Sequence, residues 1–354
     1  MQIETTIDVA KSIVAKLLQK QLDGENPPPV FLWGPPGLGK SDIVRQVAEE
    51  KGVDLFDVRL GQRDFLDVRG MPYVEDRRMK CAVPADYPPK EAKGILFLDE
   101  LSTAPPENQA AAYQLVLERM CGEYHLPDGV FICAAGNRAG DNAVAHPTSS
   151  ALANRMMHIE LKPDHEAWCR WAAINNIAPE IIGFIRLLPD MLFELEQKDC
   201  ERGWASPRSW ASVSKVLSYD FEPKELQVSI NGLVGASAAS HFLAYLKNCR
   251  ELGDIRNVML NPKEEWNPPT KKELFLAVAS AIAHWVWNGK NKKESEKLMD
   301  GFFRIILQLP TIYARMALLD AISGKDGEAR AQQLHNHAHF SELQKKLGSN
   351  NVKE

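Results

Sequence analysis

The stretch Gly34-Pro35-Pro36-Gly37-Leu38-Gly39-Lys40-Ser41 follows the spacing G-x-x-x-x-G-K-[ST], and the chemistry of that spacing is the grip of a polyphosphate. Glycines let the backbone pass close to an anion, so that successive N–H groups face its oxygens. The positive N-terminal end of the helix that follows adds to the attraction. Lys40 is expected against the β- and γ-phosphates, and the Ser41 hydroxyl is expected to ligate magnesium. Further along, the apolar run Ile95-Leu96-Phe97-Leu98 ends in Asp99-Glu100. Asp99 can hold magnesium directly or through its water, and Glu100 can orient or deprotonate an attacking water. Passing phosphate to another acceptor would not need the second carboxylate, so the pair points to hydrolysis of a nucleoside triphosphate. A Gly-Pro turn or a helix-capping Asp-Glu pair explains one motif, but not the two together.

Three further polar residues sit where such a site could use them. Asn137 closes the run Ala134-Ala135-Gly136-Asn137, where an amide can hold water or touch the γ-phosphate; a plain turn residue is the alternative. Arg155 ends Ala151-Leu152-Ala153-Asn154-Arg155, at a domain edge away from its own nucleotide. There it either reaches a neighbouring subunit's γ-phosphate or satisfies helix carbonyls. Arg208, in Ser206-Pro207-Arg208-Ser209-Trp210, falls at a helix start, where a cation is unfavourable unless an anion is near.

The elements that must position these residues follow from periodicity. Thr5-Thr6 can cap a helix carrying Ile7, Ala10, Val14, Leu17 and Leu18. Pro27-Pro28-Pro29 breaks the chain before a buried strand, Val30 to Trp33, and Ser41 to Glu50 reads as a helix. Further strands are expected at Leu55 to Leu60, Ile95 to Leu98, Val130 to Ala134 and Met157 to Leu161. Pro105-Pro106 opens a helix to about Met120, Gly122 to Asp128 reads as a tight hairpin, and a short helix spans about Ser149 to Asn154. Five strands alternating with helices predict an α/β fold with a doubly wound parallel sheet, over about residues 1–162. Residues 61–93 form a connection long enough to suggest a function of its own. Beyond Pro163 strand signals fade. Helical segments are expected around Trp168 and Trp171, Ile181 to Leu188, Trp210 to Leu217, Ile230 to Leu246, after Asn267-Pro268-Pro269, and Phe302 to Leu319 with a break at Pro310. This gives a helical region over 163–250, a second over 251–347 that can belong to the first, and a disordered tail at 348–354.

Composition narrows the class. The 354 residues are 45% apolar and 25% charged with a net charge of −5, as in a soluble protein of two or three domains. The densest basic patch, Lys290 to Lys293 with Lys297, is interrupted by Asn, Glu and Ser and reads as solvated, so nucleic acid is not the expected partner. Cys81, Cys121, Cys133, Cys169, Cys200 and Cys249 lack metal-binding spacing and read as reduced thiols in a cytoplasmic protein. The start Met1 to Thr6 does not read as a signal peptide. The apolar stretch Leu274 to Trp287 is fourteen residues long, too short for a membrane span, and reads as a buried helix. His335, His337 and His339 read as a solvated tail, since alternate spacing puts helical side chains on different faces. Trp204 and Trp210 read as packing around Arg208. Arg59, Arg63, Arg69, Arg77 and Arg78 read either as surface ion pairs or as a lining for a pore or phosphates.

With these residues together the chain resembles an AAA+ ATPase of the P-loop class, and within it the MoxR-like branch, over about residues 5 to 220. Gly34 to Ser41 correspond to Walker A, Ile95 to Glu100 to Walker B, Asn137 to sensor 1, Arg155 to the arginine finger and Arg208 to sensor 2. The connection at 61–93 falls where that branch has its helix-2 insert, and Gly122 to Asp128 where it has a pre-sensor hairpin, here very short. The resemblance implies ATP and Mg2+ as cofactors, and a helical lid after the core. It also implies a homo-oligomeric ring, commonly a hexamer, and chaperone-like remodelling beside a protein with a von Willebrand factor A domain. Adenine over guanine rests on the resemblance alone. Arg138, next to Asn137, could share the finger or sensor work. Two other functions compete with the remodelling motor: a nucleic-acid motor or loader on the same scaffold, which a salt-dependent gel shift would reveal, and a nucleotide-gated scaffold with negligible turnover.

Overall fold

Val30–Trp33 (β2) and Gly94–Asp99 (β6) lack the polar alternation of a half-exposed strand, and both lie inside a parallel sheet covered by helices on its two faces. A computed structural model describes residues 3–138, 140–141, 150–194, 202–263, 266–324 and 326–348. The chain divides into two units, Met1–Asp164 and His165–Glu354.

In chain order the first unit comprises β1 (Glu4–Thr5), α1 (Ile7–Leu22), β2, α2 (Lys40–Lys51), β3 (Asp54–Arg59), α3 (Phe65–Arg69), β4 (Met71–Glu75), β5 (Arg78–Ala82) and β6. After these come α4 (Pro106–Glu118), β7 (Met120–Cys121), β8 (Tyr124–His125), β9 (Val130–Gly136), α5 (Ser150–Ala153) and β10 (Met157–Leu161). The main sheet runs β1-β10-β2-β9-β6-β3, and every neighbouring pair is parallel. Alternate residues of its strands feed two cores. Leu32, Ile95, Phe97, Phe131 and Cys133 pack with Val14, Leu18, Ile43 and Val47 of α1 and α2. Phe31, Leu96, Leu98 and Ile132 pack with Ala112, Leu115 and Val116 of α4. Each large apolar side chain so buried contributes about 1.5–3 kcal/mol. Capping sets the helix ends: the Thr6 side chain accepts from Val9 N–H, and α2 ends at Gly52 with φ +64°.

Two expectations for this unit need correction, and the long connection gains detail. The sheet has six strands, because Thr5 pairs with Leu161 at the edge; a two-residue strand is too short to show a period. Leu60 is buried but belongs to a 3-10 turn, Leu60–Gln62, and β3 ends at Arg59. The connection at 61–93 is structured, with α3 followed by the antiparallel hairpin β4–β5. Its strands escaped notice because they bury almost nothing: Met71, Tyr73, Val74 and Met79 are all exposed. The hairpin turns at Asp76 and Arg77, both with positive φ.

The second unit holds α6 (His165–Ile174), α7 (Pro179–Leu187), α8 (Pro207–Leu217), α9 (Pro223–Val234), α10 (Ala236–Cys249), α11 (Ile255–Leu260), α12 (Lys272–Trp285), α13 (Lys292–Ile306), α14 (Thr311–Ala321), α15 (Gly327–His335) and α16 (Phe340–Gly348). Apart from an isolated bridge, Glu194 with Ala205, its described residues form no strand pairing. One core gathers around Phe184, Trp210 and Phe242, and another around Ile282, Phe302, Phe303 and Ile306. A buried bidentate pair joins helices of the two cores, with Arg186 Nη1 and Nη2 at 2.6 and 2.7 Å from the Asp320 carboxylate. The segment expected as one helix from Ile230 to Leu246 is two, broken at Gly235, whose φ of +81° ends α9. His337 is not in a solvated tail: its ring stacks on Phe303 at 4.1 Å and meets Asp300 at 3.0 Å. Among the described residues no cluster of three or more His, Cys, Asp or Glu side chains could hold a metal, and no helix is long and apolar enough to cross a membrane. Cys81, Cys121, Cys133, Cys169 and Cys249 are free thiols. Cys200 and the tail expected to be disordered, from residue 349 on, lie outside the described residues.

Candidate active site

Parallel strands bring their C-terminal ends to one edge of a sheet, where ligands of open α/β folds bind. At that edge β2 runs into Gly34–Ser41, β6 ends at Asp99, and β9 delivers Asn137. The loop closes through two left-handed glycines, Gly37 at φ +80° and Gly39 at +98°. Gly39 is the N-cap of α2 and offers no side-chain cap, so the first N–H groups of that helix face into the loop. Leu38 is buried beneath, and Gly34 leaves room for it: a Cβ there would stand 3.0 Å from Leu38 Cδ2. Lys40, only 9% exposed, donates from Nζ to the carbonyls of Gly34 (2.5 Å) and Pro35 (3.0 Å) and to Asn137 Oδ1 (2.9 Å).

The acidic pair lies beside this loop. Ser41 Oγ donates to Asp99 Oδ2 at 2.8 Å, and Asp99 Oδ1 accepts the Glu100 N–H at 2.9 Å. Glu100 has φ +58°, a conformation that is uncommon for a residue with a side chain. A tight turn holds it there, in which Thr103 N–H and Ala104 N–H donate to the Glu100 carbonyl at 3.0 and 3.1 Å. The turn is tied to the end of β9, since Leu101 N–H donates to the Ala135 carbonyl and Asn137 N–H donates to Ser102 Oγ, each at 2.9 Å. Ser102 is 1% exposed and is a link that sequence reading missed; a lone Ser two residues past an Asp-Glu pair carries no motif.

Asp57 on β3 was also missed. Burial and the charge of Asp99 push its carboxyl above the usual range, while Arg59, Arg45 and Arg63 pull it down. Burial, with a smaller push from Asp99, raises the Cys133 thiol far above its ordinary value. Arg63 pairs with Asp86, and Arg59 lies 4.0 Å from Asp57, so both make local ion pairs.

Gly34 to Ser41, Asp99, Glu100 and Asn137 thus come together, and the arginines lie elsewhere. Arg138 is held at the opposite side of β2: Nη1 donates to Glu4 at 2.9 Å, Nη2 to the Leu161 carbonyl at 2.6 Å, and Nε lies 2.6 Å from Glu160. Arg138, considered from sequence for a share of the finger or sensor work, makes these contacts within its own chain. Arg155 is exposed and precedes Met157, which pairs with Val30 at the start of β2. It therefore stands at the N-terminal edge of the sheet, where it borders a cavity with Pro27, Pro28, Pro29 and Arg119. Arg208 is exposed in the second unit, in the first turn of α8 behind the Ser206 cap. Trp210 is core, with Nε1 donating to the Met191 carbonyl at 2.8 Å.

Residues 30–162 match the family model described as ATPase family associated with various cellular activities (AAA). Among curated proteins, the chain is 27% identical to the replication factor C large subunit of Ignicoccus hospitalis over 121 residues, 33% of this chain and 24% of that protein. It is 28% identical over 153 residues to the ATP-dependent zinc metalloprotease FtsH of Mycoplasma genitalium, 40% of this chain and 21% of that one. It is 30% identical over 105 residues to human replication factor C subunit 4, 28% of this chain and 29% of that one. The chain thus spans between 21% and 29% of the length of these relatives. Among solved structures, a RuvB variant of Thermotoga maritima gives a TM-score of 0.39 at 17% identity, over 71% of this chain and 74% of that one. NtrX from Brucella abortus in complex with ADP gives 0.39 at 13% identity, over 98% and 69%. The segment from β2 through β10 is thus similar to an AAA ATPase domain.

Proposed function

We propose that this chain is a Mg2+-dependent ATP hydrolase of the MoxR-like kind, working as a homo-oligomeric ring, a hexamer, that remodels or activates a protein partner carrying a von Willebrand factor A domain. The observation that carries the catalytic part is the 2.8 Å hydrogen bond from Ser41 to Asp99, which joins the two motifs across 58 residues of sequence. The hexamer, the remodelling role and the partner rest on the sequence resemblance.

In this reading the N–H groups of Gly37 to Ser41 and the Lys40 ammonium hold the β- and γ-phosphates. The Lys40 contacts with the Gly34 and Pro35 carbonyls keep its charge at the mouth of the loop. Ser41 and Asp99 would hold magnesium through hard oxygen donors, and the bound ion would supply positive charge against the phosphates. Glu100, held by its turn, orients and deprotonates the attacking water. Asn137, fixed between Lys40 and Ser102, holds that water or the γ-phosphate. Arg155, on the far edge of the sheet, serves a neighbouring subunit, and a nucleotide phosphate is the natural partner of Arg208. Most of the acceleration comes from positioning and from charge compensation.

Phosphate release by wild type and Glu100→Gln tests this. Turnover by wild type and at least a hundredfold less by Glu100→Gln, with nucleotide still bound, is expected. A wild-type rate no higher than that of the variant leaves only a nucleotide-gated scaffold. Affinity purification with the same variant, which holds bound nucleotide, tests the partner.

A further inference from the structure

The 3-10 turn Leu60–Gln62, which leads from β3 into the exposed hairpin, lies against Glu100. A Cβ on Gly61 would stand 2.7 Å from Glu100 Oε2, 3.3 Å from Glu100 Cβ and 3.0 Å from Thr103 Oγ1. Gly61 is not among the residues with positive φ, so its backbone does not call for glycine. What calls for it is the space taken by the Glu100 carboxylate. The turn is fixed from its other side by Asn108 of α4, 1% exposed, whose Nδ2 donates to the carbonyls of Leu60 (3.1 Å) and Arg63 (2.6 Å). Two neutral hydrogen bonds made in a buried setting hold a short turn in place. On the Glu100 side, the positive φ and the bonds from Thr103 and Ala104 fix the main chain and leave the carboxylate to be set by what it packs against.

We infer that Gly61 is a positioning residue for the hydrolytic step, and that the Asn108-held turn forms the wall that fixes the Glu100 carboxylate. The inference rests on the reading of Glu100 as the residue that activates water. The same turn continues into the insert: Arg63 donates to the Asp67 carbonyl at 3.3 Å and pairs with Asp86, so the wall and the foot of the hairpin form one connected segment.

Gly61→Ala adds one methyl group against the end of a flexible side chain, so folding is kept and the carboxylate is displaced by somewhat under 1 Å. Misplacement on that scale lowers kcat about 10- to 100-fold. The KM for ATP and the nucleotide Kd are expected within twofold of wild type, because neither loop nor lysine moves. In a Glu100→Gln background the same substitution should change the residual rate by less than about twofold, as two changes acting on one interaction are not additive. A wild-type kcat for Gly61→Ala overturns the inference, and so does an equal fold-loss in both backgrounds. Loss in Glu100→Gln without loss in Gly61→Ala overturns the inference and leaves the hydrolase reading intact. Undiminished turnover by Glu100→Gln removes both.

Discussion

Ser102 offers a direct way to ask whether Glu100 and Asn137 act as one unit. Its hydroxyl, 1% exposed, accepts the Asn137 N–H at 2.9 Å, while the neighbouring tie from Leu101 N–H to Ala135 survives any change of side chain. Ser102→Ala removes the acceptor and adds no volume, so a buried donor loses its partner at a cost of about 1–3 kcal/mol. For a unit of this size each kcal/mol lowers Tm by about 2–4 °C, which gives a fall of about 2–12 °C. The freed Asn137 main chain no longer fixes the amide that accepts from Lys40, and kcat should drop about tenfold while nucleotide Kd stays within a few-fold. Thermal melting by circular dichroism and a steady-state phosphate assay read both effects. A Tm within 1 °C of wild type together with an unchanged kcat would refute the coupling.

Asp320→Asn leaves the Arg186 charge buried without its carboxylate and should cost about 3–5 kcal/mol, read by urea unfolding of the full chain; Arg186→Met with Asp320→Leu should recover most of the loss. Arg155→Ala should keep ATP binding but cut turnover by at least a thousandfold, and severe loss of binding in an isolated subunit would contradict a role in trans. Burial pushes Cys169 up to about 12, above an unfolded value of about 8.5. The folded state therefore keeps its proton longer than the unfolded one. The stability this confers is complete below pH 8.5 and declines as pH rises toward 12, at up to about 1.4 kcal/mol per pH unit. Urea unfolding at pH 8, 9 and 10 should show that decline, and Cys169→Ala should make it shallower.

How far the sequence could be read varies with the kind of feature. The phosphate loop was legible because each position answers a local demand: glycine for positive φ at 37 and 39, lysine and serine for reach into the site. The strand Val30–Trp33 was legible because burial on both faces leaves an unbroken apolar run, and Met157–Leu161 because its apolar residues alternate with His158 and Glu160. The hairpin at Met71–Ala82 was not legible, because strands that bury nothing carry no such pattern, and neither was the two-residue strand Glu4–Thr5. Gly235 was passed over because one glycine within helical spacing does not show the sign of its φ.

The sequence by itself determined the chemistry on offer: a phosphate-gripping loop, an Asp-Glu pair at a strand end, and a helical region after a parallel sheet. These are set by residue type and by spacing within a few positions, which local sterics and periodicity control. Tertiary structure alone decided the pairing of Ser41 with Asp99, the tie of Asn137 to Ser102, the capture of Arg138 by Glu4 and Glu160, and the room that Gly61 leaves for Glu100. Those contacts join residues tens of positions apart, and their geometry comes from strand order and register. No local pattern encodes these, because the order of strands in a sheet is fixed by how both faces are buried at once.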